Sequence, residues 1–136
     1  MTKIVLVDTD ALFALNSQDD AHFPKALKIS EKLNRQGFNF TISKFVLAET
    51  VTLLSYRISH QKAVDFLEKL MAGKFPVIKV TEEIENLAYQ IFKNQSSKNV
   101  SLVDCLNMAI LKKYRTETIF SFDKIYQKNG FKLIEV

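Results

Sequence analysis

A chain of 136 residues, 47% hydrophobic and 25% charged, has the make-up of one globular domain able to bury about two thirds of its unfolded surface, and a single domain is expected over residues 1–136. Three glycines and two prolines exclude a low-complexity or linker-rich chain, and no run approaches the ~20 apolar residues of a membrane span. One cysteine, Cys105, excludes an internal disulfide and makes a cytoplasmic location the expectation, while the net charge of +4 suits a polyanionic partner or simple solubility equally.

In chain order, Ile4-Val5-Leu6-Val7 predicts a strand buried on both faces that stops abruptly on Asp8. Thr9 to Leu15 continues as a short helix. Asp20 to Gln36 reads as a longer one, with Phe23, Ala26, Leu27, Ile29 and Leu33 at helical spacing and Pro24 tolerable only in the first turn. Gly37 ends it and Phe38 to Ile42 makes a second strand. Ser43 opens Lys44 to Ile58, and Ser59 or His60 divides that helix from Gln61 to Met71. Gly73 precedes a strand expected over Phe75 to Val80, Thr81 opens a helix to Gln95, and Leu102 to Tyr114 is the next helix. Thr118 to Phe122 is strand-like, Asp123 opens a last short helix, and Gly130 hands over to Phe131-Lys132-Leu133-Ile134. Strands and helices alternate through short connections, the pattern of parallel strands with helical crossovers on both faces of a sheet.

Four acids sit where the ends of such strands and helices converge. Asp8 and Asp123 each follow a strand, and each also suits the N-terminus of the helix behind it. Ser101-Leu102-Val103-Asp104 has the spacing of a capping box. Glu49 discriminates best, because Phe45 to Leu54 is apolar nearly all round. A carboxylate buried there must be neutralised, paired or bound to a metal, and no basic residue lies within one turn of it. Two carboxylates 4 Å apart repel by about 4 kcal/mol at an effective dielectric of 20, a conflict that a cation resolves. Oxygen ligands without His or Cys at ligand spacing select magnesium or manganese over zinc. An ion pair for Glu49 and plain helix capping for the other three stay open as alternatives. Cys105 reads as core packing, and His22 and His60 as solvent-facing, with an approach of His22 to substrate left open.

Through these residues the chain resembles the PIN-domain nucleases, and in size the VapC-type toxins of prokaryotic toxin–antitoxin pairs. The resemblance runs from Val5 to Val136. It is carried by Val7-Asp8-Thr9-Asp10-Ala11-Leu12, by Ala48-Glu49, by Ser101-Leu102-Val103-Asp104-Cys105, and by Phe120-Ser121-Phe122-Asp123-Lys124 followed by Gly130-Phe131. It implies a three-layer α/β/α sandwich around a mostly parallel sheet. The family's acidic quartet falls on Asp8, Glu49, Asp104 and Asp123, which such enzymes use to hold magnesium or manganese while hydrolysing RNA phosphodiesters. Asp10 stands where the family also carries Ser, Thr or Asn, so it is an extra ligand or an acceptor beside the ligands, and Thr9 and Ser121 are expected to donate hydrogen bonds to them. The implied partners are an RNA substrate, an antitoxin protein that blocks the site, and a second copy in a homodimer. A housekeeping ribonuclease of this fold would carry the same residues.

Two other readings compete. Strand-Asp8-Thr9-Asp10 is also how haloacid-dehalogenase-type phosphatases begin, but Ala11-Leu12 replaces the Gly-Thr that follows there, and no paired acids after a later strand complete such a site. A PIN-like module that binds RNA or protein without cutting predicts a broken quartet, whereas all four positions carry acids.

Overall fold

Alternate residues of the first strand feed two different cores, which is why its sequence is apolar without a break. In the computed structural model, Val5 and Val7 pack on one side of the sheet and Leu6 on the other, all three buried. At roughly 1.5–3 kcal/mol for each fully buried aliphatic side chain, this strand anchors both layers. The structure describes residues 3–73 and 75–136. Met1, Thr2 and Lys74, which fall within the domain expected over 1–136, lie outside the described residues.

The strands are β1 (Lys3–Val7), β2 (Phe38–Ser43), β3 (Val77–Ile78), β4 (Thr118–Phe120) and β5 (Lys132–Leu133), and every pairing is parallel in the order β3-β2-β1-β4-β5. The helices are α1 (Thr9–Leu15), α2 (Phe23–Arg35), α3 (Lys44–Arg57), α4 (His60–Ala72), α5 (Glu82–Lys93), α6 (Leu102–Lys113) and α7 (Ile125–Lys128). Apolar residues of α1 to α4 share the core on the Val5 and Val7 side, and those of α5, α6 and α7 the core on the Leu6 side. This is the expected α/β/α sandwich. β1 pairs with β2 on one edge and β4 on the other, so the strand order reverses beside β1 and leaves a crevice at its C-terminal end.

Local chemistry sets most boundaries where they were expected. Ser43, Ser59, Thr81 and Ser101 each accept a backbone N–H through the side chain at the start of α3, α4, α5 and α6. Gly37 and Gly130 take φ of +81° and +87° just past α2 and α7, a conformation that a Cβ would strain. Three expectations are corrected. α2 starts at Phe23 rather than Asp20, because the Asp20 carboxylate accepts from the His22 N–H at 2.8 Å and closes a turn that competes with the helix. The strand expected over Phe75 to Val80 shrinks to Val77–Ile78 at the sheet edge, where Pro76 offers only its carbonyl to Thr41 and Ile42. The helix buried all round is α6, with every residue from Asp104 to Leu111 buried, whereas α3 buries only Val46, Thr50 and Leu54.

Candidate active site

The C-terminal ends of β1 and β4 open into a cleft of about 340 Å³ whose wall carries Asp8, Asp10, Asp20, Glu49, Asp104 and Asp123. The four acids singled out in the sequence therefore do meet, although they come from four separate stretches of the chain. Asp8 lies at its floor, where the backbone N–H donates to Phe120 O at 2.9 Å and extends the β1–β4 pairing by one residue. Its carboxylate accepts four further hydrogen bonds. The Thr9 N–H and Asn107 Nδ2 donate to Oδ1 at 2.8 and 3.0 Å, and Ser121 Oγ and the Tyr126 hydroxyl donate to Oδ2 at 2.9 Å each. Asp8 is thus the N-cap of α1 and the centre of a buried polar network at once.

Asp10 is held almost as firmly, accepting from the Ala11 N–H at 2.7 Å and the Phe122 N–H at 2.9 Å, with Ser121 Oγ 3.2 Å away. Asp104 divides its oxygens. Oδ2 accepts from the Ser101 N–H at 2.9 Å and completes the capping box, while Oδ1 faces the Tyr126 hydroxyl at 3.4 Å. Capping and site-building are therefore combined in one side chain rather than exclusive. Asp123 is exposed and accepts from the Ile125 N–H at 2.9 Å, a local turn that starts α7. Glu49 corrects the expectation of a buried carboxylate. It is half-buried on the cleft side of α3, and its partner is the Thr9 hydroxyl, which donates to Oε1 at 2.6 Å. Thr9 and Ser121 donate as expected, and Cys105 packs in the core as expected.

Two residues that matter here were missed from the sequence. Asn107 and Tyr126, both fully buried, form the underside of the site, with Asn107 Nδ2 donating to the Tyr126 hydroxyl at 3.0 Å. The available signal was Asn107 itself, a polar residue one turn after Asp104 in an apolar helix and so on the same face. The amide has one workable orientation, because turning its oxygen toward the Asp8 carboxylate would set acceptor against acceptor. Its Oδ1 consequently lacks a partner among the described residues. Tyr126→Phe is expected to cost about 1–3 kcal/mol of stability in chemical denaturation at pH 8, because it strips a buried donor from Asp8 and the acceptor from the Asn107 amide. A change below half of that would mean that the hydroxyl contributes nothing to holding the acids.

The electrostatics of the cleft are unrelieved. Burial pushes the Asp8 carboxyl from 3.8 up to about 7, aided by the charges of Asp10 and Asp104. Burial also raises Asp10 and Asp104, with Asp123 adding to both. The two ion pairs among the described residues, Lys113–Glu83 and Lys132–Glu117, lie elsewhere. Arg57 lines the cleft, but its guanidinium stands 5.4 Å from the centre of the Phe13 ring instead of on a carboxylate. An all-oxygen donor set with excess negative charge fits a hard divalent cation. Among the described residues, no three of His, Cys, Asp or Glu are gathered tightly enough to form a ready ligand cluster.

Residues 5–132 match the family described as PIN domain. The 23S rRNA-specific endonuclease VapC20 of Mycobacterium tuberculosis is 27% identical over 128 residues, covering 94% of this chain and 95% of that protein. The crystal structure of Mycobacterium tuberculosis VapC20, a sarcin-ricin loop cleaving toxin, superposes with a TM-score of 0.80 at 26% identity over 93% of this chain and 95% of that one. VapBC2 from Rickettsia felis, solved bound to a DNA fragment from its promoter, is similar in fold, with a TM-score of 0.70 at 14% identity over 96% of each chain.

Proposed function

The chain belongs to the PIN-domain family, and from that premise we propose that it is a metal-dependent endoribonuclease, one domain over residues 1–136, serving as the toxin of a type II toxin–antitoxin pair. The observation that carries the reading is the convergence of Asp8, Glu49, Asp104 and Asp123 on one cleft with no Lys or Arg paired to any of them among the described residues. A surface meant only to bind RNA would present cations there, because the phosphate backbone rewards positive charge. A cleft of unpaired carboxylates instead needs a cation to bring phosphate close.

In this mechanism Asp8, Glu49, Asp104 and Asp123 would hold magnesium or manganese, and Asp10 would be an acceptor beside them. When bound, the ion polarises a phosphoryl oxygen and lowers the pKa of a water for attack at phosphorus. The protein's own part is positional. The Thr9 hydroxyl orients Glu49, Ser121 Oγ spans Asp8 and Asp10, and the Tyr126–Asn107 pair fixes the Asp8 rotamer from below. The naming of VapC20 as a 23S rRNA-specific endonuclease and as a sarcin-ricin loop cleaving toxin supports RNA as the substrate class and the toxin role, with which an antitoxin partner goes. Among the described residues no helix is long and apolar enough to cross a membrane.

The test is cleavage of total cellular RNA by the purified chain. Cutting in magnesium or manganese is expected to stop in chelator and to return when the metal is restored, with Asp104→Asn run alongside to exclude a contaminating ribonuclease. Cleavage that continues in chelator would overturn the metal-dependent reading.

A further inference from the structure

The rim of the acid cleft carries an aromatic stack that the reaction described above does not use. His22 lines the cleft, is exposed, and lies parallel on Phe122, with ring centroids 4.3 Å apart and planes 5° from parallel. Phe122 is half-buried and braced in turn by the edge-on ring of Phe120, which is fully buried. The stack therefore runs from the core to the surface and ends on an exposed imidazole. Its backbone is fixed at both ends. The His22 N–H donates to Asp20 Oδ1 and the His22 carbonyl accepts from Ala26 N, each at 2.8 Å, while the Phe122 N–H donates to Asp10 Oδ2 at 2.9 Å. Phe122 also borders a second, smaller hollow of about 170 Å³ that Lys25 and Lys124 line, and the Lys25 ammonium stands 5.9 Å from the Phe122 ring centre. A preformed aromatic surface thus stands between the acid cleft and a hollow whose charged lining is Lys25, Lys124 and Glu135.

Resting on the ribonuclease reading, we propose that the His22–Phe122 stack is the platform on which one nucleobase of the RNA strand lies, with the backbone passing from the acid cleft toward Lys25 and Lys124. Proteins that hold single-stranded nucleic acid combine a basic track with aromatic faces that accept bases, and this rim has both. His22 is then a positioning residue. Its ring carries the base, and no proton transfer is asked of it.

The experiment measures binding apart from turnover. A labelled, mixed-sequence single-stranded RNA is titrated by fluorescence anisotropy against the Asp104→Asn protein in magnesium, beside the same sugar-phosphate chain without bases. Adding His22→Ala is expected to weaken RNA binding about tenfold, within the range that one stacked base contributes. His22→Phe should restore it, and the base-free chain should bind equally weakly to all three proteins. Phe122→Leu serves as the second lesion and should match His22→Ala. Equal RNA affinity with and without His22→Ala, or an equal loss on the base-free chain, would overturn the platform. In the cleaving wild type, His22→Ala should raise KM and leave kcat unchanged. Cleavage unaffected by His22→Ala would sink the platform alone, whereas base-dependent binding by a chain that never cuts would sink the ribonuclease reading and leave the platform standing.

Discussion

Asp8→Asn is expected to lower RNA cleavage by about 10³-fold or more while raising the thermal stability of the metal-free protein at neutral pH. The loss follows from removing one carboxylate of the proposed cation site, since metal stabilisation of the reacting phosphate would be worth several kcal/mol and each 1.36 kcal/mol is a factor of ten in rate. The gain follows from the same charge. Asp8 lies buried close to the charges of Asp10 and Asp104, and among the described residues no Lys or Arg is ion-paired with any of the three. The asparagine fits the existing hydrogen bonds. Its oxygen can accept from the Thr9 N–H and Asn107 as Oδ1 does now, and its amide nitrogen can face Ser121 and Tyr126, whose hydroxyls are free to turn and accept. Circular dichroism melting and cleavage of total RNA read the two effects separately. A variant that is both inactive and markedly less stable would show that Asp8 is held for the fold and not for the reaction.

The second large effect is a stability that falls as pH rises in the absence of metal. A carboxyl whose folded pKa stands at about 7 against 3.8 keeps its proton in the folded state over a range where the unfolded chain has released it. The unfolded state then binds fewer protons, so stability declines from near pH 4 through pH 7 and levels off above. At about 1.4 kcal/mol per unit the ceiling is about 4 kcal/mol for Asp8, and Asp10 and Asp104 shift in the same direction. The comparison that isolates the effect is wild type against Asp8→Asn, by urea denaturation from pH 4 to pH 8 in chelator. The two proteins should converge at the acid end and diverge toward the alkaline end, with the variant the more stable. Magnesium or manganese should close the gap by binding the folded state, adding about 2.7 kcal/mol at a hundred times its Kd. Parallel profiles with no metal response would mean that the acids are not electrostatically coupled.

Both predictions depend on a network of which the sequence discloses only part. The carboxylates were legible because an acid at the end of an apolar strand, or one turn inside an apolar helix, conflicts with its surroundings, and conflict is what sequence patterning reveals. Asn107 and Tyr126 were not, because a buried amide and a phenol among apolar neighbours look like ordinary core until their partners are known. Glu49 was singled out for a reason that does not hold. α3 is apolar in composition, yet Phe45 is 43% exposed and Tyr56 84%, so apolar content there does not mean burial. The helix that is buried all round is α6, which carries Asp104 and Asn107 together.

By itself the sequence determined the alternation of strands and helices, the side-chain caps at Ser43, Ser59, Thr81 and Ser101, the turns at Gly37 and Gly130, and the four acids that the fold gathers on one cleft. Each of these depends on interactions within a few residues or on the apolar period of one element, and both are written locally. Tertiary structure decided the rest. The reversal of strand order beside β1 brought the C-terminal ends of β1 and β4 to one crevice, set Tyr126 and Asn107 beneath Asp8, and stood the His22–Phe122 stack at its edge. Those contacts join residues far apart along the chain, and their geometry exists only once both cores have closed on the sheet.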